Sequence, residues 1–339
     1  MRDVAIVSFA QLSVARTDQD DVEMLVPLIA EAIGKSGIPK KEIGFTVSGS
    51  CDYLGGRPFS FVMALDALGA WPPIAESHVE MDGAWALYEA WVRLQHGDID
   101  SALVYAFGRS SQGDLGEVMS AQLDPYVVAP LGPDWVSLAA LQARALLDAK
   151  RCTERELAEI AARSRRTETS AEDLLRASYV VEPLREHDCP TSYDGAAVAV
   201  LVAGDLAKKV CERPAWIRGI DHRIEAHSLG ARDLTRSPST RLAAEKAGAI
   251  GRRFDVAELH APFSHQEVIV RDALGLGPEV PVNPSGGALA RHSFIVSGLN
   301  AIGQAANEII EGRARSTVAH ATSGPCLQQN LVCVLEGSP

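Results

Sequence analysis

Strand-like and helix-like segments alternate along the chain, and the order found in its first half recurs in its second. Short apolar runs predict the strands, and stretches with apolar residues three or four positions apart predict amphipathic helices. Repeated strand–helix–strand units favour an α/β protein with a mostly parallel sheet and helices on its faces. The predicted strands are Val4–Phe9, Phe45–Ser48, Ile74–Val79, Ala102–Phe107, Ala196–Val202, Trp216–His222, Val256–His260, Val280–Asn283, Thr317–His320 and Leu331–Leu335.

Each half follows the order strand–helix–strand–helix–strand–helix–strand–strand, which indicates an internal repeat of pattern. The helices of this repeat are predicted at Val22–Gly34, Phe59–Leu68, Gly83–Gln95, Ser239–Ala247, His265–Leu274 and Phe294–Ile310. Before the last strand of the first half, Gly, Ser and Pro accumulate, and two further helices are predicted at Val136–Leu147 and Glu154–Arg165. We therefore expect a first half over residues 1–205, with an inserted lobe at about 109–188, and a second half over residues 206–339.

The charge balance restricts the partners of the protein. Its 339 residues include 32 basic and 44 acidic side chains, a net charge of −12, and no basic run. This balance argues against nucleic acid and anionic membrane surfaces as the main partners. No apolar stretch reaches the ~18 residues of a membrane span, and Met1-Arg2-Asp3 leads into the first strand without the apolar core of a signal peptide. We expect a cytoplasmic protein.

Cysteines and histidines give no sign of a metal site or a disulfide framework. The six cysteines are scattered without a Cys-x-x-Cys pair, and most of them are expected to be buried and inert. The nine histidines lack the His-Glu-x-x-His spacing, and His260, His265 and Glu267 are spaced too loosely for a ligand set. We therefore expect no bound metal.

Each half opens its most apolar helix at a glycine. The segments that lead into these helices are Met81-Asp82-Gly83 and Ser285-Gly286-Gly287. In a duplicated fold of this kind the two helices pack together in the middle, so their N-terminal N–H groups and positive dipole ends meet. Such a place binds an oxyanion or activates a nucleophile.

Four segments, in this order along the chain, resemble the thiolase superfamily. They are Ser192–Ala197 (SYDGAA), Glu258–Ser264 (ELHAPFS), Asn283–Ala290 (NPSGGALA) and His320–Asn330 (HATSGPCLQQN). The second is similar to the segment that carries the family's oxyanion-hole Asn or His, and the third to the NPSGG segment. The last is similar to the lipid-transfer-type replacement of the family's Cys-x-Gly loop. The closest branch is the lipid-transfer-protein (SCP-x) type, which includes the thiolase-like subunits of bacterial steroid side-chain aldolases.

The resemblance implies the thiolase fold, a five-layer αβαβα sandwich built from two pseudo-repeated βαβαβαββ halves with an inserted loop lobe. It also implies an acyl-CoA substrate, so coenzyme A enters as part of the substrate and no cofactor is bound covalently. Thiolase-type proteins form dimers, and some members of this branch join two unlike subunits with a small DUF35-type (OB-fold) protein. A thiolase-like homo- or heterodimer partner and a DUF35 partner are therefore expected.

The main departure from the family lies before the first buried helix. A thiolase places its nucleophilic Cys three residues before the glycine that opens this helix, and counting back from Gly83 gives Glu80. A carboxylate cannot form the acyl-thioester intermediate that a thiolate forms. Two roles remain open for Glu80: acid–base catalysis from an apolar pocket with a raised pKa, or stabilisation of the loop near the helix N-terminus. For Asp82 we expect the second role.

Two histidines are further catalytic candidates. His260 ends a predicted strand, where ligand sites lie in parallel sheets, and it either polarises a substrate carbonyl or hydroxyl or is a hydrogen-bonded structural residue. His292 falls near the family's catalytic His, in a segment one residue shorter than the family's, and is the expected proton-transfer group. The substrate pocket and its oxyanion loops are expected at Gly286, Gly287, Ser323 and Gly324.

The second acid–base Cys of the family has no clear counterpart here. Thr322 or Ser323 falls closest to it, and Cys326, a few residues later, either lines the pocket or is a free buried thiol. Related aldolases use tyrosines near the NPSGG-like and His-Phe segments, as the resemblance implies, and this chain has no Tyr near either. Their roles pass to His260, His292 or Glu80, or to a partner.

Without the acylating Cys, the resemblance favours a retro-aldolase. We expect a thiolase-like subunit, active alone or only in a heteromer, that cleaves the C–C bond of a β-hydroxyacyl-CoA side chain of a steroid. The products are a ketone or aldehyde and a shorter acyl-CoA, and no covalent intermediate is needed. Two alternatives stay open: an acyl-CoA C-acyltransferase with an unusual nucleophile, and a non-catalytic or lipid-binding subunit of a heteromeric aldolase.

Overall fold

In the computed structural model, which describes residues 2–338, nine strands form one mixed sheet and two more form a separate hairpin. The hairpin consists of β5 and β6, and all other strands belong to the large sheet. In chain order the strands are β1 Val4–Val14, β2 Phe45–Gly49, β3 Glu76–Val79, β4 Ser101–Arg109, β5 Tyr179–Val181, β6 Leu184–Arg185, β7 Asp194–Ala203, β8 Ala215–Ile224, β9 Val256–Leu259, β10 Ser316–Ser323 and β11 Gln329–Glu336.

The strand order confirms the internal repeat. Across the sheet the order is β3-β2-β4-β7-β1-β8-β11-β10-β9. In the first half β2 runs parallel to β3 and β4, and β7 runs antiparallel to β4 and β1. In the second half β9 runs parallel to β10, and β11 runs antiparallel to β10 and β8. Val282 bridges to Ala257 of β9, at the place that β3 takes beside β2. Followed outward from the β1–β8 pair, the two halves therefore have the same order.

The helices connect these strands and cover both faces of the sheet. None of those found within residues 2–338 is long and apolar enough to cross a membrane. In chain order the helices are α1 Asp21–Ser36, α2 Asp52–Gly55, α3 Phe61–Leu68, α4 Gly83–His96, α5 Leu115–Ser120, α6 Trp135–Asp148, α7 Glu154–Arg165, α8 Ala171–Leu174, α9 Gly204–Val210, α10 Pro238–Lys246, α11 Ser264–Leu274, α12 Gly287–Ala290 and α13 Ser297–Ile310.

Helices α4 and α13 form the central layer between the two halves of the sheet. The two helices pack against each other through small and branched apolar residues. Leu87 and Ala90 of α4 belong to one buried cluster with Leu299 and Ile302 of α13. Burying each such Leu or Ile contributes about 1.5–3 kcal/mol to stability. Helices α1, α3 and α9 pack on the outer face of the first half, and α10 and α11 on that of the second. This is the five-layer αβαβα arrangement that we expected.

Between β4 and β7 the chain forms a lobe of four helices, α5 to α8, and the β5–β6 hairpin. The first turn of α6 carries Trp135, whose ring meets Phe263 edge-on at 5.0 Å between centroids. The guanidinium of Arg185 joins the hairpin to α7 through a 2.6 Å ion pair with Glu154. The lobe is therefore held against the second half next to the start of α11.

Two predicted elements next to the NPSGG-like segment depart from the structure. Val280–Asn283 is not a strand and makes only the bridge of Val282, because Pro281 and Pro284 lack the N–H groups that a ladder needs. The helix predicted from Phe294 begins at Ser297, because Ile295 has a left-handed backbone (φ +75°) that an α-helix cannot contain. The residues released from this helix form the loop that carries His292.

Candidate active site

One carboxylate caps both central helices. Asp82 precedes α4, and its Oδ1 accepts a 2.8 Å hydrogen bond from the N–H of Ala84, as an N-cap does. The same oxygen accepts from the N–H of Leu299 at 3.0 Å, and Oδ2 accepts from the N–H of Gly298 at 2.8 Å. The positive ends of α4 and α13 thus meet at one side chain that is 3% exposed. Burial raises the pKa of Asp82 to about 7, against the three N–H donors that lower it.

Glycines allow the helix ends to approach this closely. A Cβ at Gly298 would overlap Asp82 Oδ1, and a Cβ at Gly83 would lie 2.6 Å from the Cβ of Ala106. The N–H of Gly83 also donates to the carbonyl of Ile295 at 2.9 Å, which ties the start of α4 to the loop before α13. Gly83, at one of the two glycine-marked helix starts expected from the sequence, thus allows close packing. The other segment, Ser285-Gly286-Gly287, was expected to open the second central helix, but it opens the short α12, and α13 begins at Ser297.

His260 lies directly after β9, at the carboxyl end of the strand, and is 4% exposed. Its Nδ1 accepts a hydrogen bond from the backbone N–H of Thr322 at 3.4 Å, so the neutral ring carries its proton on Nε2. Nε2 has no hydrogen-bond partner among the described residues. The structure thus leaves an N–H donor of His260 available to a ligand, as a residue that polarises a carbonyl requires.

His292 lies in the loop before α13 and is 3% exposed. Its backbone pairs with the segment before β7, since its N–H donates to the Thr191 carbonyl and its carbonyl accepts from Tyr193, both at 2.8 Å. The ring stacks on Trp135 at 5.8 Å and lies 5.7 Å from the ring of His260, between centroids. Its Nδ1 has no partner within residues 2–338. The two histidines predicted from the sequence are therefore brought together.

Both histidine rings are neutral at physiological pH. Burial lowers the pKa of His260 well below its ordinary value, and the neighbouring His292 and His320 rings lower it further. Burial also lowers the pKa of His292 to about 4. A buried imidazolium without a carboxylate partner is unfavourable, because the charged form loses its hydration. A neutral imidazole can accept a proton at one ring nitrogen and donate a hydrogen bond from the other, so both histidines are suited to acid–base chemistry.

Asp82, His260 and His292 line one cavity between the inserted lobe and the second half. Its walls are mainly apolar and aromatic, as is typical of sites for organic ligands. The remaining lining residues are Met119, Ser120, Leu123, Trp135, Leu138, Ala139, Pro262, Phe263, Gln266, Phe294, Ile295, Thr322, Ser323, Gly324, Pro325, Cys326 and Leu327.

The four predicted pocket residues fall in two places. Ser323 and Gly324 follow from β10 into the loop that lines this cavity. Gly286 and Gly287 do not line it, and Gly287 faces a second, more polar cavity. Both glycines have left-handed backbones (φ +97° and +61°), and a Cβ at Gly287 would lie 2.9 Å from the Asn283 amide. The glycine pair therefore shapes the turn into α12.

Glu80 lies outside the cavity that holds the two histidines. Its side chain is exposed, and its Oε1 accepts a 2.6 Å hydrogen bond from the N–H of Asp52 at the start of α2. The side chain of Asp52 in turn accepts from the N–H groups of Phe59 and Ser60. This is the loop-stabilising arrangement left open for Glu80 by the sequence, and the structure does not bring Glu80 together with His260 and His292.

A cysteine does reach the cavity, but its thiol is not activated. Cys326 is 5% exposed, and its Sγ donates to the carbonyl of Leu138 at 3.3 Å. Burial raises the pKa of this thiol to about 12, so it stays protonated at neutral pH. The site therefore offers no thiolate of the kind that an acyl-enzyme mechanism uses.

Buried polar side chains hold β9 and the following loop in place. The carboxylate of Glu258 accepts from the backbone N–H and hydroxyl of Ser285, at 3.1 and 2.7 Å, and Asn283 Oδ1 accepts from Leu259 N–H at 2.6 Å. Behind His260, the carbonyl of His320 accepts from the His260 N–H at 3.0 Å. Asn283 and Ser285 thus brace the loop and fix His260.

The sequence predicts the helix-capping role of Asp82 but not its place in the cavity. Its position before Gly83 predicts the bond to α4, but nothing local to it predicts donors from α13, 216 residues away. The sequence likewise does not predict that Trp135 lines the cavity, since this residue only precedes a predicted helix of the lobe. Within residues 2–338, no three His, Cys, Asp or Glu side chains converge as a metal site requires.

The sequence is similar to those of several known thiolase-type proteins. No protein-family model matches the chain. Acetyl-CoA acetyltransferase of Methanothermobacter thermautotrophicus is 25% identical over 359 residues, covering 93% of this chain and 92% of that protein. The corresponding enzyme of Methanocaldococcus jannaschii is 25% identical over 350 residues. Benzoylsuccinyl-CoA thiolase subunit BbsB of Thauera aromatica is 25% identical over 194 residues, covering 48% of this chain and 50% of that protein.

Three solved structures share the fold over nearly their whole length. The Ltp2-ChsH2(DUF35) aldolase has a TM-score of 0.80 at 17% identity, covering 99% of this chain and 98% of that one. Acetyl-CoA acetyltransferase of Bacillus anthracis gives 0.79 at 18% identity, with 99% of each chain covered. Human mitochondrial 3-ketoacyl-CoA thiolase in complex with CoA gives 0.79 at 15% identity, covering 100% and 98%. The chain is a thiolase-fold protein that resembles both acetyl-CoA acetyltransferases and an aldolase of the same fold.

Proposed function

We propose that this protein cleaves the carbon–carbon bond of a β-hydroxyacyl-CoA by a retro-aldol reaction without a covalent intermediate. The observation that carries the proposal is the pair of buried, neutral histidines that share a cavity in which the only thiol, within residues 2–338, is protonated. Coenzyme A takes part as the thiol portion of the substrate. The products are a ketone or aldehyde and a shorter acyl-CoA.

The reaction needs one proton acceptor and one hydrogen-bond donor. His292 accepts the proton of the β-hydroxyl group, the hydroxyl oxygen forms a carbonyl, and the bond between the α- and β-carbons breaks. Its electron pair forms the enolate of the shorter thioester, whose oxygen receives the hydrogen bond of His260 Nε2–H. Protonation of the α-carbon then gives the acyl-CoA, so the proton lost by the hydroxyl is balanced by the one that the α-carbon gains.

The walls of the cavity favour an apolar acyl group. Trp135, Phe263 and Phe294 contribute aromatic surface, and the other walls are largely aliphatic. Burial of apolar substrate surface contributes roughly 25 cal/mol for each Å². These walls, together with the branch that the sequence resembles, support a steroid side chain as the acyl group.

A partner subunit is the second part of the proposal. The chain lacks tyrosines near the NPSGG-like segment, and its fold is similar to that of the Ltp2-ChsH2(DUF35) aldolase. We propose that it acts as one thiolase-like subunit of a homo- or heterodimer joined by a DUF35-type OB-fold protein, in which a partner can complete the site.

Two other functions make different predictions. The 25% identity to acetyl-CoA acetyltransferases favours acyl transfer, which requires an acyl adduct on the protein after incubation with acetoacetyl-CoA. A non-catalytic or lipid-binding subunit requires unchanged turnover of the complex when His260 and His292 are replaced. The structural support for either is smaller, because Cys326 is protonated and the two histidines are held with free ring nitrogens.

The test is the cleavage of a steroid β-hydroxyacyl-CoA by the protein alone and by the protein co-purified with a co-expressed companion. We expect His292→Gln to lower kcat by about 10²–10⁴-fold and His260→Gln by about 10²–10³-fold. Equal cleavage by the lone protein would remove the need for a partner. Full activity of both variants in the active assembly would overturn the proposed roles.

A further inference from the structure

The carboxylate of Asp82 is fixed and keeps one acceptor position free. Its Oδ1 accepts from two backbone N–H groups, those of Ala84 and Leu299, whereas Oδ2 accepts from one, that of Gly298. A carboxylate oxygen can accept about two hydrogen bonds, so Oδ2 retains capacity for a further proton or donor. Because the three donors belong to the backbones of two helices, the carboxylate cannot rotate out of this orientation.

Asp82 lines the same cavity as His260, the proposed hydrogen-bond donor to the enolate oxygen. Among the residues that line the cavity in the described chain, Asp82 is the only one with a carboxyl group, and His260 shares the same cavity. In the proposed reaction the enolate oxygen lies at His260 Nε2–H, so the enolate carbon lies within the same cavity. His292 takes the hydroxyl proton, so another group must supply the proton that this carbon gains.

We infer that Asp82 transfers the proton at the α-carbon of the acyl thioester. This inference rests on the proposed function, because it requires an acyl-CoA in the cavity. In the cleavage direction the protonated carboxyl gives its proton to the enolate carbon, a C–H bond forms, and the carboxylate remains. In the reverse direction the carboxylate removes an α-proton from the acyl-CoA and leaves the enolate, with its oxygen on His260. No oxidant or further reactant is needed.

The chemistry of the site supports both directions. Burial raises the pKa of Asp82 to about 7, so both the acid and the base form are populated near neutral pH. The efficiency of a general acid–base group is highest when its pKa lies near the working pH. The N-terminal ends of α4 and α13 stabilise the carboxylate form and keep it from being permanently protonated.

Solvent exchange at the α-carbon tests the inference with a product-like molecule. The wild-type protein, in the same assembly that is active in cleavage, is incubated in D₂O with propionyl-CoA, and deuterium at the α-carbon is followed by mass spectrometry. We expect exchange in the wild type, a loss of about 10²-fold or more in Asp82→Asn, and retention in His292→Gln. Glu80→Gln is the matched control, since it removes a carboxylate two residues away that lies outside the cavity.

Each result has a distinct meaning. Exchange that persists in Asp82→Asn at the wild-type rate overturns the inference and leaves the cleavage proposal intact. A wild type that cleaves β-hydroxyacyl-CoA but does not exchange propionyl-CoA also overturns the inference alone. Exchange without cleavage overturns the proposed function instead, and a wild type that does neither overturns both.

The pH profile of wild-type exchange decides the matter if Asp82→Asn does not fold. Removal of the α-proton requires the carboxylate, so the rate rises with pH and levels off above the Asp82 pKa of about 7. The other titratable groups on the cavity wall lie far from this value: burial lowers the pKa of His292 to about 4, holds that of His260 well below its ordinary value, and raises that of Cys326 to about 12. Burial also raises the pKa of Glu258, which lines the second cavity beside His260, to about 7, so the profile is measured in Glu258→Gln as well, where the inflection near pH 7 should remain. A rate that is flat from about pH 5 to pH 9, across the range in which such a group titrates, would contradict the assignment.

Discussion

Asp82 Oδ2 accepts a 2.8 Å hydrogen bond from the backbone N–H of Gly298, and through this bond α4 and α13 share one N-terminal cap. The bond joins two residues that are 216 positions apart in the chain and belong to different halves. The same junction fixes the loop before α13, which carries His292. Packing of the two halves and the geometry of the candidate site therefore depend on one side chain.

Replacement of Gly298 by Ala should destabilise this junction. The new Cβ would overlap Asp82 Oδ1 and lie 2.7 Å from the Cβ of Ala321, and both neighbours are buried. Overpacking of this kind typically lowers the free energy of unfolding by about 1–3 kcal/mol. Urea denaturation of the variant and the wild type measures the difference. Gly34→Ala is the matched control: Gly34 is exposed in α1 with nothing within 4 Å of its Cβ position, so this change should stabilise by about 0.5–1 kcal/mol. Equal effects of the two changes would contradict the close approach at Gly298.

Much of the architecture could be predicted because it depends on local pattern. The predicted α7 at Glu154–Arg165 agrees with the structure at both ends, since a Thr153–Glu156 capping box begins it and the left-handed Arg166 ends it. The repeat followed from the order of periodic segments. The β5–β6 hairpin of the lobe was not predicted, because its strands have three and two residues, too few for a periodic signal.

The site was predicted only where strand ends and motif positions determine it. His260 and His292 lie in one cavity because the end of β9 and the loop before α13 converge there. Glu80 was considered for the cavity because it occupies the nucleophile position in the sequence, but its side chain is directed to Asp52 at the surface. Which way a side chain leaves a turn depends on tertiary contacts that spacing along the chain does not report.

Replacement of Glu80 by Gln should have little effect on cleavage. The amide oxygen of Gln can still accept the N–H of Asp52, so we expect a loss of no more than about 1 kcal/mol in stability. Steady-state kinetics should give kcat and KM close to those of the wild type. A fall in kcat of about 10²-fold or more, as expected for loss of a general acid or base, would place Glu80 in the chemistry after all.

Replacement of Cys326 by Ala should leave cleavage within a few-fold of the wild type. The thiol donates to the Leu138 carbonyl, and burial raises its pKa to about 12, so it is not expected to attack a thioester. Product formation from β-hydroxyacyl-CoA measures the effect, and Cys333→Ala, a buried cysteine that does not line the cavity, serves as the control. Loss of turnover in Cys326→Ala alone would favour acyl transfer through this thiol.

Buried neutral histidines should make the protein sensitive to acid. Burial lowers the pKa of His265 to about 3, so below its ordinary pKa of 6.5 the unfolded chain binds a proton that the folded chain does not. Above about pH 6.5 the neutral His265 does not reduce the free energy of unfolding. As the pH falls from about 6.5 to 5, protonation of the unfolded chain lowers this free energy by roughly 2 kcal/mol. Urea denaturation at several pH values should give a flatter pH dependence for His265→Gln, with the exposed His96→Gln as control. An unchanged slope in His265→Gln would contradict the assignment.

We propose that this thiolase-fold protein breaks a carbon–carbon bond without forming an acyl-enzyme. The most direct measurement follows the intact mass of the protein and the released products together during turnover of a steroid β-hydroxyacyl-CoA, in the complex with its co-expressed companion. We predict that the ketone or aldehyde and the short acyl-CoA appear in equal amounts while the mass of the protein stays unchanged. An acyl mass increase on the protein, or no cleavage by the complete assembly, would contradict the claim.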